Sequence, residues 1–261
     1  METQRTCSEA VIRKYRKVWL GLSLVDAFER TWRINPEKEA VVEGAKRLTY
    51  AELAEKARSA ACAFLKLGQR RGSSVLLQIP NSIEAVYVYL GLSMIGAIPV
   101  LCLPRHGRRE LDRFAKLTNA TTWIGPLKFG KTDYLSMISK VREGCRSLKH
   151  LAQLRPLPDD VLHLAPTGGT TGLPKLVPKT HNVQLCRAYY WAMAAERGPD
   201  DVHLAVGPIN HDAPQITNLV FLALFGGRLV FSPSPKPGDI LEYLEKEKHT
   251  GQSRINFFGC K

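Results

Sequence analysis

The chain contains the stretch Thr167-Gly168-Gly169-Thr170-Thr171-Gly172-Leu173-Pro174-Lys175, which lies between an apolar run at residues 161–165 and a helical pattern from Asn182. We call it the glycine-rich loop. Its three glycines let backbone N–H groups turn toward an anion without a Cβ in the way. The threonine hydroxyls add donors, and the lysine supplies a mobile point charge. The stretch therefore predicts a loop that holds a polyphosphate.

Two common phosphate-binding motifs do not fit the glycine-rich loop. The spacing of its glycines and lysine departs from the Walker A pattern G-x-x-x-x-G-K-[ST] and from the dinucleotide pattern G-x-G-x-x-G. Its residues match, one by one, the signature S/T-S/G-G-S/T-T-G-x-P-K, so the chain resembles the adenylate-forming superfamily. A flexible surface loop is the alternative, but that alternative does not explain the lysine or the flanking patterns.

The resemblance implies a use for the loop. Acyl-CoA synthetases, nonribosomal adenylation domains and aryl acid–AMP ligases share this signature and use ATP with Mg²⁺. A substrate carboxylate attacks the α-phosphate, pyrophosphate leaves, and the acyl-adenylate passes to a thiol of CoA or a carrier protein. The resemblance makes Lys175 a catalytic residue that stabilises charge moving to pyrophosphate. The phosphate-binding residues that it implies are Thr167, Gly168, Gly169, Thr170, Thr171, Gly172 and Lys175.

Upstream of the loop, helix and strand patterns alternate. Thr49 and Glu52 form a capping box at the start of one helix. The order strand–helix–strand predicts parallel pairing of the strands through right-handed crossovers. The fold class is therefore α/β, with mostly parallel sheets flanked by helices, and the resemblance makes it an incomplete N-terminal domain of an adenylate-forming enzyme. The segments are a helix at about 50–67, a strand at 75–79, a helix at about 82–96, a strand at 98–103, a helix at about 108–118 and a strand at 121–124.

A second candidate site follows an apolar strand at residues 202–206. The segment 207–214, which we call the acid corner, resembles the P-M-x-H-N-x-P segment that lines the acid pocket in aryl acid ligases of siderophore assembly. His211 matches the histidine, and Asp212 replaces the asparagine. An ionised aspartate only accepts hydrogen bonds, so Asp212 would favour a substrate that offers a donor, such as an amine. Alternatively, Asp212 caps a helix that begins at Ala213.

The formal net charge of +13 indicates an anionic partner. Residues 105–149 contain 11 Lys/Arg and 4 Asp/Glu, but stacking aromatics are not interleaved with them and no nucleic-acid motif appears. A solvated basic face on a nucleotide-binding protein is therefore favoured over a nucleic-acid site.

Composition also indicates a compartment. No run of 18 apolar residues and no signal peptide is present, so we expect no membrane association. Six scattered cysteines without a C-x-x-C pair favour reduced thiols and a cytoplasmic protein. Cys62 lies in an apolar helical pattern, which predicts a core position rather than a nucleophile.

The resemblance is lost after residue 248. We expect an N-terminal helical segment at 1–29, a partial AMP-binding domain at 30–248 and a non-homologous tail at 249–261. The sequence has no aromatic-Thr-Glu motif, later ribose-binding aspartate or catalytic lysine of a C-terminal domain.

Three functions are compatible with this pattern. The first is a truncated acid–AMP ligase for an aryl or amino acid, inactive alone. The second is a non-catalytic nucleotide- or partner-binding fragment that a separate C-terminal half completes. The third is a basic nucleic-acid-binding protein, which would retain DNA or RNA in a salt-sensitive way.

Overall fold

The structure is a computed structural model of the chain. It describes residue 14 and residues 17–126, 128–129, 132–133, 156–167, 174–232 and 236–247. The strands within these residues are β1 (Glu39–Glu43), β2 (Lys46–Thr49), β3 (Ser74–Leu77), β4 (Ile98–Leu101), β5 (Thr122–Ile124), β6 (Lys128–Phe129), β7 (Thr132–Asp133), β8 (Val161–Pro166), β9 (Leu176–Thr180), β10 (Val202–Ala205) and β11 (Arg228–Phe231). The helices are α1 (Leu24–Ile34), α2 (Tyr50–Lys66), α3 (Ile83–Met94), α4 (Arg108–Thr118), α5 (His181–Ala194), α6 (Asp212–Gln215), a π-helix (Ile216–Val220), α7 (Phe221–Phe225) and α8 (Pro237–Lys246).

The first sheet carries the strands beside the glycine-rich loop. It has the order β5-β3-β4-β8-β9, in which β5, β3, β4 and β8 are parallel and β9 is antiparallel to β8. The expected parallel pairing is confirmed, and helices connect the strands, since α3 joins β3 to β4 and α4 joins β4 to β5. The antiparallel strand β9 was not expected.

The second sheet has the order β10-β11-β1-β2. Strand β11 pairs in parallel with both β1 and β10, and β2 pairs antiparallel with β1. One buried cluster takes apolar side chains from both sheets, including Val41 of β1, Leu77 of β3 and Leu229 of β11. The two sheets therefore share one core, and the α/β class with mostly parallel sheets is confirmed.

Local capping signals set the ends of the helices. Thr49 and Glu52 form the expected capping box of α2, and the Ser82 hydroxyl accepts from the N–H of Ala85 at the start of α3. After α2, Gly68 has a φ of +85°, a conformation that favours glycine. The helix expected at 108–118 has those bounds.

One expectation about the core is wrong. Cys62 is exposed, because the buried face of α2 is formed by residues such as Leu53, Ala57, Ala61 and Phe64. Residue 62 follows Ala61 by about 100° around the helix and therefore points away from the core. The pattern around Cys62 was apolar, but it was not on the buried face.

Several expectations fall on residues that the structure does not describe. These are most of the N-terminal helical segment, loop residues 168–173 and the tail at 249–261. Helix α1 crosses the expected boundary at residue 29. The division into three segments stays a prediction.

Candidate functional site

The base of the glycine-rich loop is closed by two hydrogen bonds. The N–H of Thr167 donates to the carbonyl oxygen of Lys175 at 2.8 Å, and the N–H of Lys175 donates to Thr167 Oγ1 at 3.2 Å. Thr167 thus holds the two ends of the loop together, whereas the Lys175 side chain is exposed. Residues 168–173, which include Gly168, Gly169, Thr170, Thr171 and Gly172, lie outside the described residues.

Two asparagines attach the acid corner to the first sheet. Asn81, just after β3, donates to the carbonyl oxygen of Gly207 at 2.9 Å and accepts from the N–H of Ile209 at 2.8 Å. Asn210 donates to the carbonyl oxygens of Ile79 at 2.7 Å and Cys102 at 3.1 Å. The corner therefore lies at the carboxyl ends of β3 and β4, where open α/β sheets bind their ligands.

Asp212 lies inside a cluster of donors. Its Oδ1 accepts from Gln184 Nε2 at 3.0 Å and from Arg187 Nη1 at 3.0 Å. Its Oδ2 accepts from Arg187 Nη1 at 2.8 Å, and Lys179 Nζ lies 3.6 Å away. Partial burial raises the pKa of this carboxyl, but Arg187 and Gln184, with Lys179, outweigh that effect and hold the pKa below its ordinary value. Asp212 is therefore ionised.

A buried histidine continues the cluster into the core. His163 is fully buried on β8, with Nδ1 2.9 Å from the Tyr89 hydroxyl and Nε2 3.1 Å from Gln184 Nε2. Burial lowers the pKa of His163 to about 3, despite the opposing field of Asp212. The imidazole is therefore neutral.

The tautomer of His163 follows from Gln184. The Gln184 amide oxygen accepts from Arg187 at 2.8 Å while its NH₂ group donates to Asp212. Flipping the amide would set its oxygen against Asp212 and its nitrogen against Arg187, so its orientation is fixed. The NH₂ group then also faces His163 Nε2, which must accept; the proton lies on Nδ1 and points to Tyr89.

The loop and the acid corner are joined by the two strands that flank the loop. His163 on β8 and Lys179 on β9 are directly paired in the sheet. Lys179 contacts Asp212, and His163 Nε2 lies 4.0 Å from Asp212 Oδ1. Four residues of strand span about 13 Å, which is the distance along each strand from this pair to Thr167 and Lys175. The hairpin β8–β9 thus connects the base of the glycine-rich loop to Asp212 of the acid corner.

His211 and Asp212 begin the helix of the acid corner. His211 is exposed and is the N-cap of α6, without a side-chain capping bond, and Asp212 is the first residue of α6. The carboxylate of Asp212 bonds to α5 rather than to the helix end, which disfavours the capping alternative. The π-helix follows after Gln215, and such segments are frequent at functional sites.

His181 has a structural position. Its Nδ1 accepts from the N–H of Leu24 at 2.9 Å, and the adjacent Asn182 accepts from Gly21 and donates to Asp159. Burial lowers the pKa of His181 to about 4. This pair ties the segment before α1 to the start of α5, as expected for a residue at the beginning of that helix.

Sequence reasoning missed the side chains that surround Asp212. Only His163 left a signal, as a polar residue inside the apolar run at 161–165. Three of these side chains lie on other elements, Lys179 on β9 and Gln184 and Arg187 on α5. The sequence patterns of β9 and α5 do not indicate a contact with Asp212. Tyr89 comes from a helix more than 120 residues away in sequence from Asp212.

The described part of the chain lacks two features that would have indicated other functions. It contains no group of three or more His, Cys, Asp or Glu side chains that could hold a metal ion. None of its helices combines the length and the apolar character needed to cross a membrane.

Comparison with known proteins gives a consistent result. The sequence pattern of the family described as AMP-binding enzyme matches residues 28–252. The chain is 31% identical to 2,3-dihydroxybenzoate-AMP ligase of Bacillus subtilis, over 90% of the chain and 48% of the relative. It is 32% identical to salicyl-AMP ligase / salicyl-S-ArCP synthetase of Mycobacterium tuberculosis, over 87% of the chain and 46% of the relative. It spans about half the length of the curated relatives that it matches.

Solved structures show the same similarity. The apo structure of MbtA from Mycobacterium smegmatis superposes with a TM-score of 0.81 at 27% identity, covering 94% of this chain and 50% of that one. O-succinylbenzoate coenzyme A synthetase of Bacillus subtilis in complex with AMP gives a TM-score of 0.74 at 19% identity, covering 86% and 60%. The second likeness shows the fold alone.

Proposed function

The chain belongs to the AMP-binding enzyme family, and from this premise we propose that it takes part in the ATP-dependent activation of a small carboxylic acid to an acyl-adenylate. The acid is an aryl or amino acid. The activated acyl group then passes to a thiol of CoA or a carrier protein. Similarity to two aryl acid–AMP ligases over most of the chain supports this proposal.

The proposed reaction assigns a task to each part of the site. The substrate carboxylate oxygen attacks the α-phosphorus of ATP, and the bond to the bridging oxygen breaks as pyrophosphate leaves. Bound Mg²⁺ would neutralise part of the triphosphate charge. Lys175 and the donors of residues 167–172 would hold the β- and γ-phosphates as negative charge builds there. The acid would bind at the corner formed by His211 and Asp212.

The observation that carries the proposal is the hairpin β8–β9. The glycine-rich loop closes at one end of this hairpin, and the His163–Lys179 pair meets Asp212 at the other. A nucleotide on the loop and an acid at the corner would therefore contact one rigid element. Catalysis by approximation requires such fixed placement of two reactants.

We test the phosphate-binding part by titration calorimetry with Mg-ATP. Lys175→Gln is expected to weaken binding about tenfold, because one charge-assisted contact is lost. Lys56→Gln, which removes an exposed charge on α2, is the matched control. Absence of Mg-ATP binding by a folded sample would refute the proposal.

We further propose that residues 30–248 form the nucleotide- and acid-binding unit and that the 261 residues do not catalyse adenylation alone. The sequence lacks the aromatic-Thr-Glu motif and the later catalytic lysine named above. The expected result is no acid-dependent ATP–pyrophosphate exchange by this chain. Robust exchange with any aryl acid would contradict this part.

A second candidate function is a non-catalytic fragment that a separately encoded C-terminal half completes. The shared core of the two sheets supports it, because a folded half could present a surface to such a partner. Adding a C-terminal half of a related ligase should then restore exchange. A half that does not associate with the chain would remove this alternative.

A further inference from the structure

The Asp212 carboxylate has its acceptor positions occupied by the protein. Gln184 and Arg187 donate to Oδ1, and Arg187 also donates to Oδ2, with Lys179 Nζ near the same oxygen. A carboxylate offers about four lone-pair positions, so little acceptor capacity remains. A substrate amine would have to displace one of these donors.

Lys179 and Arg187 give the cluster an excess of positive charge. Asp212 contributes one negative charge, whereas Lys179 and Arg187 contribute one positive charge each. His163 is neutral for the reasons given above, and Gln184 and Tyr89 are uncharged. Among the described residues, these are the titratable and charged groups that the contacts place around Asp212. The cluster therefore carries a net charge of +1, counted as two cations and one carboxylate.

A ligand can reach the two cations. The Arg187 side chain is 39% exposed and the Lys179 side chain 21%, whereas His163 and Gln184 are buried beneath them. The guanidinium has further N–H donors that the contacts with Asp212 and Gln184, both made through Nη1, leave unused. The accessible groups of the cluster are therefore donors rather than acceptors.

We propose that Asp212 is an internal counter-ion that holds Lys179 and Arg187 side by side, and that this pair selects acids carrying a second anionic group. The substrate class is a dicarboxylate or a comparable acid, with one carboxylate for adenylation and the other on the Lys179–Arg187 pair. This inference rests on the proposed function, because it places the acid at the same corner. It replaces the expectation that Asp212 itself accepts from a substrate donor.

The test compares three probe acids by calorimetry on the full chain with Mg-ATP present: isophthalate, benzoate and 2-aminobenzoate. Isophthalate is expected to bind about tenfold more tightly than benzoate, since a second charge-assisted contact forms. Arg187→Gln should remove this difference, and Arg187→Lys should restore most of it. The control Lys56→Gln should bind all three acids as the unchanged chain does. Raising the salt concentration should weaken isophthalate binding more than benzoate binding.

Three outcomes would overturn the inference. The first is tighter binding of 2-aminobenzoate than of isophthalate, with loss of that binding in Asp212→Asn, which would make Asp212 a direct acceptor. The second is a preference for isophthalate that survives in Arg187→Gln with an unchanged urea midpoint. The third is binding of Mg-ATP but of none of the three acids at millimolar concentration, which would refute the acid site while the phosphate-binding role of the loop stands.

Discussion

At the scale of single residues, the most informative groups are the buried histidines. His163 and His181 are both nearly inaccessible to solvent, and each accepts a hydrogen bond through a ring nitrogen. Burial therefore keeps both rings neutral in the folded state, whereas unfolding would return them to the ordinary pKa of 6.5.

The first prediction concerns pH. Below pH 6.5 His163 and His181 are protonated in the unfolded chain but stay neutral in the folded chain. The free energy of unfolding therefore falls as the pH decreases toward the folded-state pKa values of about 4 for His181 and about 3 for His163. Each histidine should lower the free energy of unfolding with a slope that steepens below pH 6.5 toward a limit of about 1.4 kcal/mol per pH unit. Urea unfolding at pH 7, 6 and 5 measures the slope. Burial also lowers the pKa of His106, so this histidine should make the unfolding free energy depend more steeply on pH.

His181→Asn provides the control for this slope. Asparagine keeps an acceptor for the Leu24 N–H but cannot take up a proton. The dependence of the unfolding free energy on pH should therefore be weaker in the variant by the contribution of one histidine. A slope that is unchanged in the variant, or a chain equally stable at pH 7 and pH 5, would contradict the prediction.

The second prediction compares two glutamines that are both fully buried. Gln184→Leu removes the donor to Asp212 and to His163 Nε2, leaves both groups less satisfied, and should cost about 1–3 kcal/mol of unfolding free energy. Gln215→Leu is the matched change, because the Gln215 amide makes no hydrogen bond to Asp212 or His163 and lies close to the Tyr89 hydroxyl instead. It should cost less than Gln184→Leu, because Asp212 and His163 keep their donors in this variant. Urea unfolding measures both; equal losses would refute the assignment of Gln184.

Residue-level reasoning from sequence identified Asp212 but not its environment. The sequence of the acid corner shows the type and position of Asp212. It also shows that this side chain, when ionised, can only accept hydrogen bonds. Its donors come from β9 and α5, which meet it only through tertiary packing. The sequence near Asp212 therefore does not indicate that other side chains already occupy the hydrogen-bond acceptor positions of its carboxylate.

At the scale of elements, the contact between α2 and α3 depends on one glycine. A Cβ at Gly91 would lie 2.8 Å from the Ala57 carbonyl oxygen and 2.9 Å from Ala60 Cβ. The helices can approach this closely only because residue 91 has no side chain. Backbone atoms of α2 cannot move aside as a flexible side chain could.

The third prediction follows from this contact. Gly91→Ala should separate α2 from α3 and cost about 1–3 kcal/mol, the usual range for an overpacked core. Gly198→Ala is the control, since a Cβ there meets nothing within 4 Å. Thermal unfolding should show a lower Tm for the first variant and little change for the second. A Gly91→Ala variant as stable as the control would mean that the helices do not pack this closely.

Elements with local signals could be predicted, and elements held by distant partners could not. The capping box of Thr49 and Glu52 and the amphipathic pattern of α4 fix their helices within a few residues of sequence. Strand β9 contains Pro178 and Lys179, and it is a strand because it pairs with β8. Its five residues carry no strong strand pattern of their own.

At the scale of the whole molecule, two asparagines join the acid corner, which follows the second sheet, to the ends of strands in the first. Asn81 and Asn210 make side-chain bonds across more than 100 residues of sequence. These bonds satisfy backbone groups in an irregular segment that would otherwise be buried without partners. The position of the corner therefore depends on the relation between the two sheets.

The fourth prediction tests this dependence. Asn81→Ala removes the acceptor of the Ile209 N–H and the donor to Gly207, so it should cost about 1–3 kcal/mol of stability and weaken acid binding. Mg-ATP binding should change less, because within the described residues Asn81 forms no side-chain hydrogen bond with β8 or β9. Asn35→Ala, near the surface after α1, is the control. Equal weakening of acid and nucleotide binding would contradict the prediction.

The hairpin β8–β9 ends in the glycine-rich loop and also contacts Asp212, and this arrangement has a thermodynamic consequence. Suppose that a nucleotide on the loop shifts β9 and so alters the contact between Lys179 and Asp212. The affinity for the acid then changes by some factor, and reciprocity requires the acid to change the affinity for the nucleotide by that same factor. The order in which acid and nucleotide bind and the selection of the acid would then both depend on the hairpin β8–β9, about ten residues of paired backbone.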